Sequence, residues 1–242
     1  MKRVVPFLLV IALLALSKSA APFSLSLRLT RSSLDMLDPI GIQLIVDNPS
    51  AQRRPLAFTT PNEYHIEIYD GHTQLWHSPV RSAAPSGLHE AMHSIALEPG
   101  ASIFVTYFWN ALDSAGATPL QGEYRVTAQI DGAVTTLKAS TMLRFVAPLP
   151  LSAIAKLPAD TAVTVSGRLG SDLQTITDTS GSLRLASRLP AAKPESCVAV
   201  RGSVQVARSV RSFAVMRWAP LRADDRARDC APVSTPDPHR FR

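Results

Sequence analysis

Long hydrophobic runs are scarce in this 242-residue chain. The one marked run is VVPFLLVIALLAL, Val4 to Leu16, shorter than the ~20 residues a spanning helix needs. Cysteines number only two, so a four-cysteine zinc ribbon and a disulfide-dense miniature scaffold are both excluded. Aromatic residues make up 6%. Catalytic signatures are missing as well. There is no GxSxG nucleophile elbow, no cysteine in the local setting of a nucleophile and no Gly-rich loop to cradle a phosphate. Amphipathic helical periodicity is not found either.

What is present begins with an export signal. Lys2 and Arg3 precede the apolar run, and SKSAA follows it with small residues suited to cleavage after Ser19 or Ala21. The alternative is an uncleaved anchor. No cysteine lies near the cleavage point for lipid attachment. Residues 1–21 are therefore expected to be a signal peptide and the mature chain to be secreted or periplasmic, with no membrane span after cleavage. An oxidising destination makes Cys197 and Cys230 a candidate disulfide.

Charge is divided unevenly. Residues 22–149 hold 8 Lys/Arg against 11 Asp/Glu, whereas residues 150–242 hold 14 against 8. The mature protein is thus only mildly basic, and the basic character belongs to its C-terminal half.

Strand signals dominate. SLSLRLT (24–30), IGIQLIVDN (40–48), YHIEIYD (64–70), IFVTYFW (103–109), GEYRVTAQIDG (122–132) and TTLKASTMLRFV (135–146) alternate or are β-rich. Asp70-Gly71 reads as a hairpin turn, LEPGAS as a second turn, and SIAL as a short strand before it. About seven strands with short connections predict an antiparallel sandwich over residues 22–148. Three prolines between Ala147 and Asp160 place a boundary, with residues 149–157 as a linker. VTVSGRL, LQTITDTSGSLRLAS, CVAVRGSVQVA and SFAVMRWAPL form a second β set, which predicts a small barrel over 158–222. A charged, Pro-rich tail occupies 223–242.

HEAMH, with His89, Glu90 and His93, has the spacing that on a helix presents two imidazoles and a glutamate to zinc. Pro85, Ser86 and Gly87 stand just before it, and a strand and turn follow. The flanks lack the apolar repeat that would bury a helix, and no third ligand is evident. The motif is read as a chance match in a solvated loop, with no metal or other cofactor and no catalytic residue expected. His72 and His77 read as solvent-facing residues beside a turn. They could join the HEAMH histidines only in an adventitious metal site.

The order of elements in residues 40–130 resembles the BsuPI-type proteinase inhibitor domain. The matching positions are Asn48, Phe58, Tyr64, Asp70, Trp76, Leu97, Pro99, Gly100, Ser102, Trp109, Gly122, Tyr124 and Val126. The resemblance covers under half the chain and implies an Ig-like sandwich. It also implies a non-enzymatic module that binds a protease, here an extracytoplasmic one given the export signal. Each matching residue has a scaffold reading: Pro99-Gly100 for a tight turn, Tyr124 for a hydroxyl-anchored corner, Trp76 and Trp109 for filling between sheets. The long stretch from Trp76 to His93 is the candidate binding loop. Trp76, Pro79, Arg81, Pro85 and His89 are its candidate contact residues, with Arg81 suited to an acidic pocket.

The second β set resembles the first strands of an OB-fold, with Gly167 and Gly202 easing the curvature. Arg168, Arg184, Arg188, Arg201 and Arg217, with Arg208 and Arg211, are expected to make one basic face. Its partner would be an anionic polymer or an envelope protein. Nucleic acid is not expected, since an exported chain has little occasion to meet it. The expected architecture is all-β: an Ig-like antiparallel β-sandwich followed by a small OB-like β-barrel. The alternative functions are a structural or adhesive envelope protein and, through HEAMH, a zinc hydrolase.

Overall fold

The computed structural model describes residues 23–57, 64–79, 94–131, 136–207, 210–222 and 230. The described chain is all-β apart from one short helix. In chain order the strands are β1 (Ser24–Leu29), β2 (Ser33–Leu34), β3 (Ile40–Asp47), β4 (Arg54–Ala57), β5 (Tyr64–Asp70), β6 (Thr73–His77), β7 (Ser94–Leu97), β8 (Ser102–Trp109), β9 (Gly122–Asp131) and β10 (Thr136–Phe145). The helix α1 (Leu151–Ile154) comes next, then β11 (Ala162–Leu169), β12 (Thr175–Asp178), β13 (Gly181–Arg184), β14 (Cys197–Ala207) and β15 (Val210–Pro220).

The first ten strands make a sandwich-type arrangement. One sheet has the order β1-β3-β8 and the facing one β2-β10-β9-β5-β6, while β4 and β7 form a small pair of their own. Every ladder is antiparallel except the two-residue pairing of β2 with β10. Alternation in the sequence becomes alternation of faces. Ile42 and Leu44 of β3, Ile66 and Ile68 of β5, Tyr124 and Val126 of β9 and Leu143 and Phe145 of β10 all point into one core. Trp109 is 1% exposed. Its ring lies 5.9 Å from those of Trp76 and Phe145, and Phe145 meets Tyr124 edge-on at 5.4 Å. Both tryptophans therefore fill the space between the sheets. The Tyr124 hydroxyl donates to the Leu120 carbonyl at 2.6 Å, the corner expected of it.

The second unit is a single antiparallel sheet of order β13-β12-β11-β14-β15. Among the described residues no ladder closes it into a barrel. Its two edges are linked by an isolated parallel bridge from Leu185 to Phe213, where the Ala186 N–H donates to the Phe213 carbonyl. β14 and β15 shift register at Arg201/Gly202. A Cβ on Gly202 would collide with the Ala214 carbonyl, and one on Gly167 would sit 2.5 Å from the Ile176 side chain, so both glycines permit close strand contact.

Residues 149–157, read from the sequence as a linker, pack onto the second unit. Leu149 bridges to Val165, and Leu151 and Ile154 are buried in its core. The Leu151 N–H donates to Asp178. Cys197 and Cys230 form a disulfide with a Cα separation of 5.4 Å, tying residue 230 to the start of β14. Among the described residues no helix is long and apolar enough to cross a membrane.

Candidate functional site: an open strand edge and an arginine clamp

Among the described residues, two places stand out for side chains beyond what core and turns require. The first is β8, an edge strand of the three-stranded sheet among the described residues. Its odd-numbered residues face the core and its even-numbered ones face outward. The outward row is Ser102, Phe104, Thr106 and Phe108, with Phe104 68% and Phe108 78% exposed. Two exposed phenylalanines on one strand are unusual on a surface that folding alone has shaped. Their cross-strand neighbours on β3 are Ile45 and Gly41. A Cβ on Gly41 would sit 2.7 Å from the Thr30 methyl and 3.6 Å from the Phe108 ring, so Thr30 and Phe108 flank the glycine on one face. At the end of the strand the Ser102 hydroxyl donates to Asp47.

The backbone of β8 is as informative as its side chains. The Gly41 carbonyl accepts from the Thr30 N–H and the Gly41 N–H donates to the Thr30 hydroxyl, so the polar groups of Gly41 turn toward β1. Polar groups alternate sides along a strand. Ile42, Leu44 and Val46 therefore turn toward β8 and meet Tyr107, Val105 and Ile103. The Asn48 N–H donating to the Ala101 carbonyl continues the same parity. It follows that the N–H and C=O groups of Phe104, Thr106 and Phe108 point to the open edge.

The second place is the junction of the two units. Arg201 on β14 and Arg217 on β15 stand opposite each other, an arrangement that would be repulsive without counter-groups. Both turn toward the sandwich. Arg201 reaches Asp35 at 3.1 Å and Asp38 at 2.9 Å, and donates to the Thr164 hydroxyl at 3.1 Å. Thr164 in turn donates to the Met36 carbonyl. Arg217 donates to the carbonyls of Leu37 and Asn110 at 2.9 and 2.8 Å. Leu37 holds a left-handed backbone with φ of 70°, a conformation costly for a residue with a Cβ, and the Arg217 contact fixes its carbonyl. Burial raises the Asp38 pKa, and the nearby Arg201 guanidinium only partly offsets this. Ala199 and Ala219 of the second unit complete the sandwich core, and the Thr118 N–H donates to the Pro220 carbonyl.

Arg201 and Arg217 are engaged at the junction, because the carboxylates and carbonyls of residues 35–38 and 110 sit where the expected basic face would have opened to solvent. Arg168, Arg184 and Arg188 are exposed, and Arg168 donates to the Glu195 carbonyl. Side chains of Arg208 and Arg211 lie outside the described residues. So do Arg81, Pro85 and His89 of the candidate loop, and the whole of HEAMH (His89, Glu90 and His93). At the start of that loop Trp76 is part of the sandwich packing and Pro79 is exposed. Among the described residues no group of three or more His, Cys, Asp or Glu is placed to hold a metal ion.

Sequence reasoning missed β8 as a surface. IFVTYFW reads as an apolar strand, and such a run does not reveal whether both faces are buried.

No protein-family model matches the chain, and no curated protein matches it. Distant likenesses exist among solved structures. A β-glucosidase from Erythrobacter marinus matches over 51% of this chain and 15% of its own, at 15% identity and a TM-score of 0.31. The CARDB domain of the PF1109 protein from Pyrococcus furiosus matches over 51% of this chain and 87% of its own, at 12% identity and a TM-score of 0.31. Spo0M, a sporulation control protein from Bacillus subtilis, matches over 80% and 84%, at 11% identity and a TM-score of 0.34. This chain thus spans a small part of the glucosidase. The likenesses are to all-β, sandwich-like folds in general.

Proposed function

We propose that this chain is an exported, non-enzymatic protein-binding module that engages its partner through the open edge of β8. The observation carrying this reading is the exposed Phe104–Phe108 pair beside outward-pointing backbone groups. Strand addition at such an edge draws affinity from main-chain hydrogen bonds and specificity from the side chains flanking them. The finer reading, an inhibitor of BsuPI type acting on an extracytoplasmic protease, rests on the ordered residues from Asn48 to Val126. Most of these are scaffold, as the buried Asn48, Trp109 and Tyr124 illustrate, so the resemblance supports the sandwich more than the inhibition.

A second reading, a structural or adhesive envelope protein, is favoured by the clamp. Arg201 and Arg217 bind the second unit to residues 35–38 and 110 of the sandwich, as suits a spacer. For that second unit the strand order and the parallel Leu185–Phe213 bridge between its edges support the OB-like assignment.

Titration of the mature protein against a panel of subtilisin-like serine proteases and metalloproteases tests the proposal. The expected result is a complex of fixed stoichiometry, with the chain uncut, that is lost in the Phe104→Ser/Phe108→Ser variant. A complex that survives the double substitution would move the binding surface away from β8. Absence of any complex would remove the inhibitor reading and leave the spacer.

A further inference from the structure

We infer that, in the free protein, a second copy of this chain occupies the β8 edge, pairing β8 with β8 about a two-fold axis at Thr106. The inference rests on the reading of β8 as a docking edge and names its occupant.

Edge strands are ordinarily protected from pairing by charge, proline, bulges or shortness. β8 uses none of these. It is eight residues long, SIFVTYFW contains no charged residue and no proline, and its register with β3 runs unbroken from Ile40–Trp109 to Asp47–Ser102. The other edge strand of this sheet, β1, carries the exposed Arg28. Pairing with a second copy brings no charged residue to the new ladder, and the outward row Phe104, Thr106 and Phe108 matches itself when reversed about Thr106.

Geometry selects the register. Phe104, Thr106 and Phe108 are the residues whose polar groups point outward. An antiparallel pairing centred on Thr106 sets Thr106 against its symmetry mate and Phe104 against Phe108 of the second copy. Each of these pairs then exchanges both its N–H and C=O groups, so every open polar group in that stretch finds a partner. The same register faces the two exposed phenylalanines of one chain with those of the other, the cross-strand aromatic pairing that stabilises sheets. A six-stranded sheet of order β1-β3-β8-β8-β3-β1 results, and the interface is isologous, as a two-fold dimer requires. Because one strand edge and four aromatic rings bury less surface than a standard interface, the dimer is expected to dissociate at roughly micromolar concentration.

The experiment combines sedimentation with a site-directed cross-link in the full mature chain. Hydrogen-bonded antiparallel partners have Cα atoms about 5.5 Å apart, within the reach of a disulfide. Thr106→Cys should therefore cross-link to a dimer under mild oxidation. Ser102→Cys, whose opposite position is Asn110, should not. The unmodified protein should double in mass between about 1 and 100 μM, and the exposed-site variant Thr106→Lys should stay monomeric while keeping the wild-type circular dichroism spectrum. A monomer throughout that range, or equal cross-linking of the two cysteine variants, overturns the dimer. If a protease complex nevertheless depends on Phe104 and Phe108, the docking edge stands and only its occupancy by a second copy falls.

Discussion

Asn48 has the most demanding position of any side chain in the sandwich. It is fully buried, and its amide donates to the carbonyls of Gln52, Leu97 and Glu98 while its oxygen accepts from the Ser50 N–H and hydroxyl. The turn after β3 is thereby stapled to the end of β7 and to the Pro99-Gly100 turn. Asn48→Ala would strand these groups out of reach of water. An unsatisfied buried polar group costs about 1–3 kcal/mol, so a fall in Tm of several degrees is expected by calorimetry. The sequence placed Asn48 in a turn, and the ordered resemblance marked it. Its three carbonyl partners come mostly from residues about fifty positions away, which periodicity does not register.

Two aspartates of the second unit set its acid limit. Asp172 accepts from the Thr175 hydroxyl and from the N–H groups of Gln174 and Thr175, which hold its pKa at about 2. Burial pushes Asp178 upward, but bonds from Leu151, Ser180 and Gly181 outweigh it and leave the pKa lowered. A carboxylate with a depressed folded pKa stabilises above its unfolded value of 3.8 and loses that contribution as pH falls through the folded one. Asp38, raised by burial, works in the opposite sense and takes up its proton more readily in the folded state. The urea midpoint should therefore decline between pH 4 and pH 2, and Asp172→Asn should flatten part of that decline. A midpoint unchanged across this range would contradict the assignment of the turn hydrogen bonds.

At the scale of elements, strands were legible because half-buried strands alternate. β1, β3, β5, β9 and β10 coincide with alternating stretches, and the β5–β6 hairpin turns at Gly71 with its positive φ of 58°. α1 was not legible: four residues with proline at the N-cap are too short for periodicity to register. The orientation of arginines on β14 and β15 was not legible either. A charged residue on a strand reads as facing water, and only the loop at Asp35–Asp38, far away in sequence, turns Arg201 inward. Replacing Arg201 with methionine keeps the stem packing and removes the charge. Asp35 and the mostly buried Asp38 would then face each other with only Arg31, 3.8 Å from Asp38, left as an ion-pair partner, and losing one partner of a buried pair costs about 3–5 kcal/mol at full burial and less here. The junction should loosen while the sandwich core survives, read as new protease cutting between residues 146 and 162.

At the scale of the molecule, the described strands of the sandwich and of the second sheet meet along a seam. Ala199 and Ala219 enter the sandwich core, Arg222 pairs with Asp70 at 3.7 Å, and the disulfide anchors residue 230 to β14. These contacts lie away from β8, which is an edge strand among the described residues. Amide hydrogen exchange tests β8 as the binding edge residue by residue. In the dilute protein the N–H groups of Phe104, Thr106 and Phe108 should exchange freely while those of Ile103, Val105 and Tyr107 are protected. Bound partner or raised protein concentration should then protect the first three. Equal protection of both sets in the dilute protein, or no change on complex formation, would contradict the claim.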